Sequence, residues 1–255
     1  MALPATLVWE IRPTNGTANA GGGFDPSVAS PGTDFSQQNA VQQAYTDLTI
    51  DAVTNTNITS VARAFSSVDV GNGISITGGT GFTTGIYNIR SVTGVIATVD
   101  RAVGTTGSTG GTGDLGGARS GFSVGTTTLQ ASLVAGQKAW VKNEAWNEYV
   151  NLTVAGATGS PITIEGYNTA RGDNPTGANR PLNNRAAAAG NALDLQGTHH
   201  ILKHLRFSNA GTDGVKTTAG SVSLFVNCQS ASNGGVGFNF TNNPQAWLVQ
   251  AVTRL

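Results

Sequence analysis

Six carboxylates punctuate the C-terminal half of this 255-residue chain: Glu144, Glu148, Glu165, Asp173, Asp194 and Asp213. Glycoside hydrolysis needs two carboxyl groups facing one sugar bond, one of them to protonate the leaving oxygen. The pair best spaced for it is Asp194, inside the strand-like Ala192-Leu193-Asp194-Leu195, and Asp213, in the turn Gly211-Thr212-Asp213-Gly214. Nothing in the residues closes that pair, and turn hydrogen bonds account equally well for Asp173 and Asp213. Lys203 and Arg206 are the residue types a lyase uses on an anionic sugar, but calcium needs several convergent oxygens and these acids are scattered. His199, His200 and His204 are the chain's histidines. On a strand His200 and His204 would share a side, yet no cysteine or acid joins them as a third zinc ligand, and a polar outer face beside a turn is the expectation. There is no Gly-x-Ser-x-Gly elbow and no phosphate-binding Gly-Lys-Thr/Ser. No catalytic residue, metal ligand or cofactor is assigned, and the chain does not read as an enzyme. The single cysteine, Cys228, cannot form an internal disulfide and reads as a buried small thiol.

The composition points away from other ligands too. Lysine plus arginine total 14 and aspartate plus glutamate 14, so no positive field exists to meet phosphates and no nucleic-acid partner is expected. No run approaches the ~20 apolar residues that cross a bilayer. The N-terminus lacks the basic region and apolar core of a signal peptide, so synthesis in a cytoplasm and no membrane association are expected.

The elements that must position these groups are strands. Val, Ile and Thr recur in short runs divided by Gly and Asn, the pattern of many short strands and tight turns. Residues 1–45 read as an extended N-terminal arm in which Leu7-Val8-Trp9-Glu10-Ile11-Arg12 could form one strand and Pro13 to Pro31 has no helix or sheet period, with Trp9, Phe24 and Phe35 retained as anchors. Residues 46–104 read as a small β module, with strands at Leu48-Thr49-Ile50, Ile74-Ser75-Ile76, Ile86-Tyr87-Asn88-Ile89 and Val95-Ile96-Ala97-Thr98-Val99. Residues 105–127, rich in Gly, Thr and Ser, read as a linker. From 128 to 255 short strands recur at a little over twenty residues, with Leu202, Leu224 and Leu248 in equivalent places. A repeat of this length with Asn-Gly and Gly-Gly turns predicts a parallel β-solenoid, each coil burying its apolar face on the next. The fold class is therefore all-β.

Trp140, Trp146 and Tyr149 fall within ten residues. Such a group can stack on a sugar, dock another chain or cap the open end of a solenoid. The apolar run through Trp247 and Leu248 presents a strand edge that calls for a partner. Trp9, Phe24, Phe35, Trp140, Trp146, Tyr149, Trp247 and Leu248 form the candidate interface set.

Ser160-Pro161-Ile162-Thr163-Ile164-Glu165-Gly166-Tyr167 with Arg171-Gly172-Asp173 resembles an early coil of right-handed parallel β-helix proteins of the pectin-lyase-like superfamily. Ala192-Leu193-Asp194-Leu195, His199-His200-Ile201 and Leu205-Arg206-Phe207-Ser208-Asn209-Ala210 resemble their next coil. Trp9-Glu10-Ile11-Arg12-Pro13, Gly21-Gly22-Gly23-Phe24-Asp25-Pro26 and Ile76-Thr77-Gly78-Gly79-Thr80-Gly81-Phe82 are similar to the start of tailed-bacteriophage structural proteins that carry such a helix. The resemblance implies a short right-handed parallel β-helix, and a virion location after assembly in the host cytoplasm. It further implies a structural role as a capsid decoration or cement protein, bound to the major capsid protein or other virion proteins. Members also include tail appendages, adsorption proteins and polysaccharide-degrading enzymes; the shortness of the helix favours the structural role over glycan binding. A homo-oligomer, as a trimer, is expected.

Overall fold

The structure, a computed structural model, describes residues 5–218, 222–240, 246–249 and 252–254. The chain divides into two compact units: Met1–Glu10, Asn15–Ser120 and Val124–Thr127 in the first; Ile11–Thr14, Gly121–Ser123 and Thr128–Leu255 in the second. The division falls within strand β1 (Val8–Ile11). Among the described residues no helix is long and apolar enough to cross a membrane.

The first unit is a closed antiparallel barrel. Strands β2 (Gln43–Ile50), β3 (Asn57–Thr59), β4 (Gly73–Gly78), β5 (Gly85–Thr93), β6 (Ile96–Val99) and β7 (Gly111–Leu115) close in the order β2-β3-β6-β5-β4-β7. Alternation in each run sends Leu48, Ile50, Ile58, Ile74, Ile76, Ile89, Ala97, Val99 and Leu115 into one core. Residues 60–66 form neither strand nor helix. Asp47 accepts hydrogen bonds from Ser60 Oγ and from the Val61 and Ala62 amides, each at 2.7 Å, and holds the segment as a loop.

Two expectations for this unit are corrected. The stretch at 105–127 is not a linker throughout, because β7 lies within it and closes the barrel between β2 and β4. Its glycines are there for close approach. A Cβ at Gly111 would fall 2.4 Å from the Phe82 ring, and one at Gly113 would meet the Ser75 carbonyl oxygen at 2.8 Å.

Nor is the 1–45 arm a free tether, since Trp9 and Phe35 are buried within the same chain and Phe24 is half-buried. Trp9 is 0% exposed and Phe35 6%. Phe24 forms backbone bridges to Val8 and Asn72, and the Phe35 amide donates to Asn72 Oδ1 at 2.9 Å. The Gly21-Gly22-Gly23 run lets the arm lie flush. A Cβ at Gly21 would sit 2.1 Å from the Gly73 carbonyl oxygen, and Gly22, at φ +57°, would press into the Trp9 ring. Arg119, fully buried, pins the arm: it donates to the Ala20 carbonyl at 2.9 Å and to the Val124 and Thr127 carbonyls at 2.8 Å. Trp9 and Phe35 are therefore core residues and not docking anchors.

The second unit is a parallel β-helix. Its first coil holds β8 (Lys138–Lys142), β9 (Ala145–Trp146) and β10 (Val150–Leu152). The second holds β11 (Ile162–Tyr167), β12 (Leu182–Asn184) and β13 (Leu193–Leu195), the third β14 (His200–Lys203), β15 (Arg206–Ser208) and β16 (Val215–Thr217). The fourth holds β17 (Ser223–Val226), β18 (Gln229–Ala231) and β19 (Phe238–Asn239), and a fifth begins with β20 (Ala246–Val249) and β21 (Val252–Arg254). They stack as three sheets, β8-β11-β14-β17-β20, β9-β12-β15-β18-β21 and β10-β13-β16-β19. Left-handed residues turn the chain between sheets, among them His204 and Asn227, at φ 54° and 50°. Asparagine tolerates that region better than most side chains, and Asn227 Nδ2 also donates to His204 Nδ1 one coil below, at 2.8 Å.

The repeat expected from Leu202, Leu224 and Leu248 is out by one at its middle member. Leu202 pairs in register with Phe225, and Phe225 with Leu248, so the coil is 23 residues (225 − 202 and 248 − 225). Phe225 is fully buried and Leu224 lies on the outer, half-buried side. In a strand a slip of one residue exchanges the two faces.

Candidate functional site

The outer face of β10-β13-β16-β19 gathers the polar groups that the sequence singled out. Val150, Leu152, Leu193, Leu195 and Val215 turn inward. Their alternates Asn151, Asp194, Lys216 and Asn239 therefore form an outward row in direct register. Tyr149, just before β10 and 41% exposed, donates its hydroxyl to Asp194 Oδ2 at 2.5 Å. Burial, with the hydrogen bond and charge of Asp194, pushes the Tyr149 phenol up to about 12, so it stays protonated and acts as a donor. Asn191 Nδ2 donates to the other Asp194 oxygen at 2.5 Å, while Asn191 Oδ1 accepts from the Asp213 amide at 2.9 Å and from Thr212 Oγ1.

Asp194 and Asp213 are thus joined through Asn191, a residue that sequence reasoning passed over because an isolated Asn carries no spacing signal. Asp213 itself accepts from the Val236 amide at 3.0 Å and from Asn239 Nδ2 at 2.7 Å. Chemically this face is a hydrogen-bonded lattice in which each of the two carboxylates already accepts from neighbours.

The other acids are spread over the unit. Glu148 is buried, accepting from Trp146 Nε1 and the Phe122 amide at 3.0 Å and from the Ser123 amide and hydroxyl at 2.5 Å. Glu165 bridges Lys138 at 2.8 Å and Lys203 at 3.8 Å across the first sheet. Asp173 accepts from the amides of Asn168, Thr169 and Ala170; burial works against its ionisation, but these bonds hold its carboxyl below the usual range. Glu144 accepts from the Thr14 amide at 3.0 Å. Arg206 donates to the Arg180 and Ala178 carbonyls at 3.1 and 2.9 Å.

The histidines do not converge. His199, at φ 57°, lies 3.2 Å through Nε2 from Thr158 Oγ1, and His204 is engaged by Asn227. His200, expected on a polar outer face, is instead 1% exposed, on the inward side of β14. Among the described residues no three His, Cys, Asp or Glu side chains gather as metal ligands. Cys228 is buried, which pushes its thiol up to about 12.

The aromatic cluster is dispersed by the fold. Trp140 lies on the outer side of β8, under the Lys138 ammonium at 3.5 Å and edge-on to Tyr167 at 6.3 Å. Trp146 is buried, 6.1 Å from the Phe122 ring, while Tyr149 stands on a different sheet's face. Trp146 is thus a packing residue and not an interface residue. Phe24 is half-buried on the barrel. Trp247 and Leu248 lie on the β20 backbone, and their side chains fall outside the described residues.

No family model matches the chain. No curated protein matches it either. Among solved structures it is similar to the catalytic domain of a GH87 α-1,3-glucanase complexed with tetrasaccharides, at 10% identity and a TM-score of 0.18. The alignment takes in 83% of this chain, which spans about half (55%) of that domain's length. Likeness at this level carries no argument about activity.

Proposed function

We propose that the chain is a structural protein of a phage virion, decorating or cementing the capsid through subunit contacts. The observation that carries the non-catalytic part is the engagement of the solenoid's acids. Glu148, Glu165, Asp173, Asp194 and Asp213 each hold backbone, amide, phenol or ammonium partners of the same chain. A general acid or nucleophile needs a lone pair or proton directed at substrate. The virion part rests on the resemblance of the N-terminal segments to phage structural proteins.

The barrel supplies points of attachment that suit this role. Val61 is 98% exposed and Val53 87%. Each sits on a loop clamped by an aspartate: Asp47 accepts from the Val61 amide, and Asp51 from those of Val53 and Thr54 at 2.8 Å. Apolar tips on clamped loops dock at small ordering cost. In a co-sedimentation assay with phage particles lacking this component, Val53→Asp/Val61→Asp is expected to lower occupancy at least about tenfold, the loss of roughly 1.4 kcal/mol or more. Its circular dichroism should match the parent. Undiminished occupancy moves attachment elsewhere, and absence of the chain from purified particles overturns the virion reading. So does release of reducing ends from a bacterial polysaccharide that Asp194→Ala abolishes.

A trimer belongs to the same proposal. Light scattering of the purified protein is expected to give three times the chain mass of 25.9 kDa. A monomer at high micromolar concentration counts against it. The aromatic ground for association now rests on Trp140 and Tyr149, because Trp146 is internal.

A further inference from the structure

The outer face of the β9-β12-β15-β18-β21 sheet holds positive charge without a counter-ion. Arg180, buried just ahead of β12, donates to the Asn227 carbonyl at 2.7 Å and to Gln229 Oε1 at 3.3 Å. Arg206 donates through Nε and Nη2 to the Arg180 and Ala178 carbonyls. Carbonyls accept these bonds but bring no net negative charge. Among the described residues neither guanidinium forms an ion pair. Burial first, and then the charge of Arg180, works against the Arg206 cation and lowers its value, an effect that an anion beside it would oppose.

A dent of about 110 Å³ opens beside Arg206, with Leu182, Ser208, Gln229 and Ala231 also lining it. Alternation turns Arg206 and Ser208 outward on β15, and Gln229 and Ala231 outward on β18. Register sets Arg206 beside Gln229 and Ser208 beside Ala231. The dent exists because Ser208 and Ala231 are small where Arg206 and Gln229 are long.

We propose that this dent binds one phosphate group, free or at the end of a monoester, held by Arg206, Ser208 and Gln229. Its volume suits a single ionised group and falls short of the roughly 300–1,000 Å³ that encloses a whole ligand. Three donors are available. Arg206 keeps Nη1 beyond its two carbonyl bonds. Gln229 turns its amide oxygen to Arg180, which leaves Nε2 to donate. Ser208 supplies a hydroxyl that bonds no described residue. Among the described residues none lining the dent is acidic, so an oxyanion meets no repulsion there. Phosphate offers an oxygen to each donor and a fourth to solvent or an ester link, whereas a carboxylate offers two. Bonds from a guanidinium to such oxygens are charge-assisted.

The test titrates the full chain, carrying isotope-labelled arginine, with inorganic phosphate, glycerol phosphate, acetate and chloride at constant ionic strength. Arg206→Gln identifies the Arg206 signal by its loss. In the parent that signal is expected to shift saturably with phosphate at millimolar concentration, since the site is partly exposed. Acetate should bind about tenfold more weakly, the worth of roughly one bond, and chloride should not saturate. Ala231→Leu fills the dent without removing a hydrogen bond of Arg206. It should weaken phosphate at least about tenfold at an unchanged melting temperature. A shift with inorganic phosphate alone supports a free anion, and one with both phosphates supports a monoester end. No saturable shift, acetate or chloride binding as tightly as phosphate, or undiminished phosphate binding in Ala231→Leu each overturns the proposal.

Discussion

An Arg119→Met chain is expected to lose roughly 3–5 kcal/mol of first-unit stability, a large share of the ~5–15 kcal/mol that holds a domain folded. Hydrogen bonds to charged groups are worth about 1.5–3 kcal/mol each, and three carbonyls lose theirs at once, with partial relief from water. The guanidinium holds Ala20 of the arm together with Val124 and Thr127, so its loss frees the arm that covers the barrel. Methionine keeps the apolar stem, so the loss reports the hydrogen bonds and not a void. The measurement is urea unfolding followed by far-ultraviolet circular dichroism, read as a fall in the midpoint at unchanged slope. An unfolding free energy within about 0.5 kcal/mol of the parent's would falsify the pinning role. By the same logic, removal of residues 1–42 is expected to unfold the barrel. It strips Leu7, Trp9, Val28 and Phe35, all buried, at about 1.5–3 kcal/mol for each large apolar side chain.

Acid should weaken the second unit through His200. The imidazole is neutral in the folded chain, with its value held at about 4 by burial against an ordinary 6.5. Between those values the unfolded chain binds the proton and the folded chain does not, so stability rises with pH there. The contribution is complete above about 6.5 and is lost as the pH falls through 4, amounting to about 3 kcal/mol for a shift of this size. His204, also depressed by burial, adds to the same window. The comparison is therefore the parent against His200→Leu, in which the His204 part is common to both. Asp25, Asp47, Asp51 and Asp173, all held below the carboxylate value of 3.8, act around and below that pH. Melting temperatures at pH 7 and pH 4.5 are expected to differ by several degrees more in the parent than in His200→Leu. Parallel curves would place the imidazole in contact with water or an acceptor.

Which of these features could be read before the fold was known depends on the range of the physics behind them. Alternation of apolar and polar residues is local, so runs such as Leu48-Thr49-Ile50 and Ile74-Ser75-Ile76 declared themselves as strands. Recurrence at just over twenty residues declared the stacking, because a coil can bury its apolar face only on its neighbours. The absence of local motifs for phosphate, zinc or a serine nucleophile was equally legible.

What tertiary structure decided was whatever depends on a partner distant in the chain. Gly111 and Gly113 look like linker residues, yet β7 needs them because Phe82 and Ser75 leave no room for a side chain. Trp9 and Phe35 looked like anchors for another subunit, but both are buried by their own chain, Trp9 beside Gly22 and Gly23 and Phe35 beside Gly116. The choice between Leu224 and Phe225 for the core turned on a one-residue register that two adjacent apolar side chains leave undetermined. His200 gave no sign of burial, because an imidazole beside a turn looks polar until the coils above and below enclose it. Composition and spacing thus determined that the chain forms short strands and a stacked coil. Burial, which sums contacts over the whole chain, determined which aromatic, acid and imidazole groups were left to meet anything else.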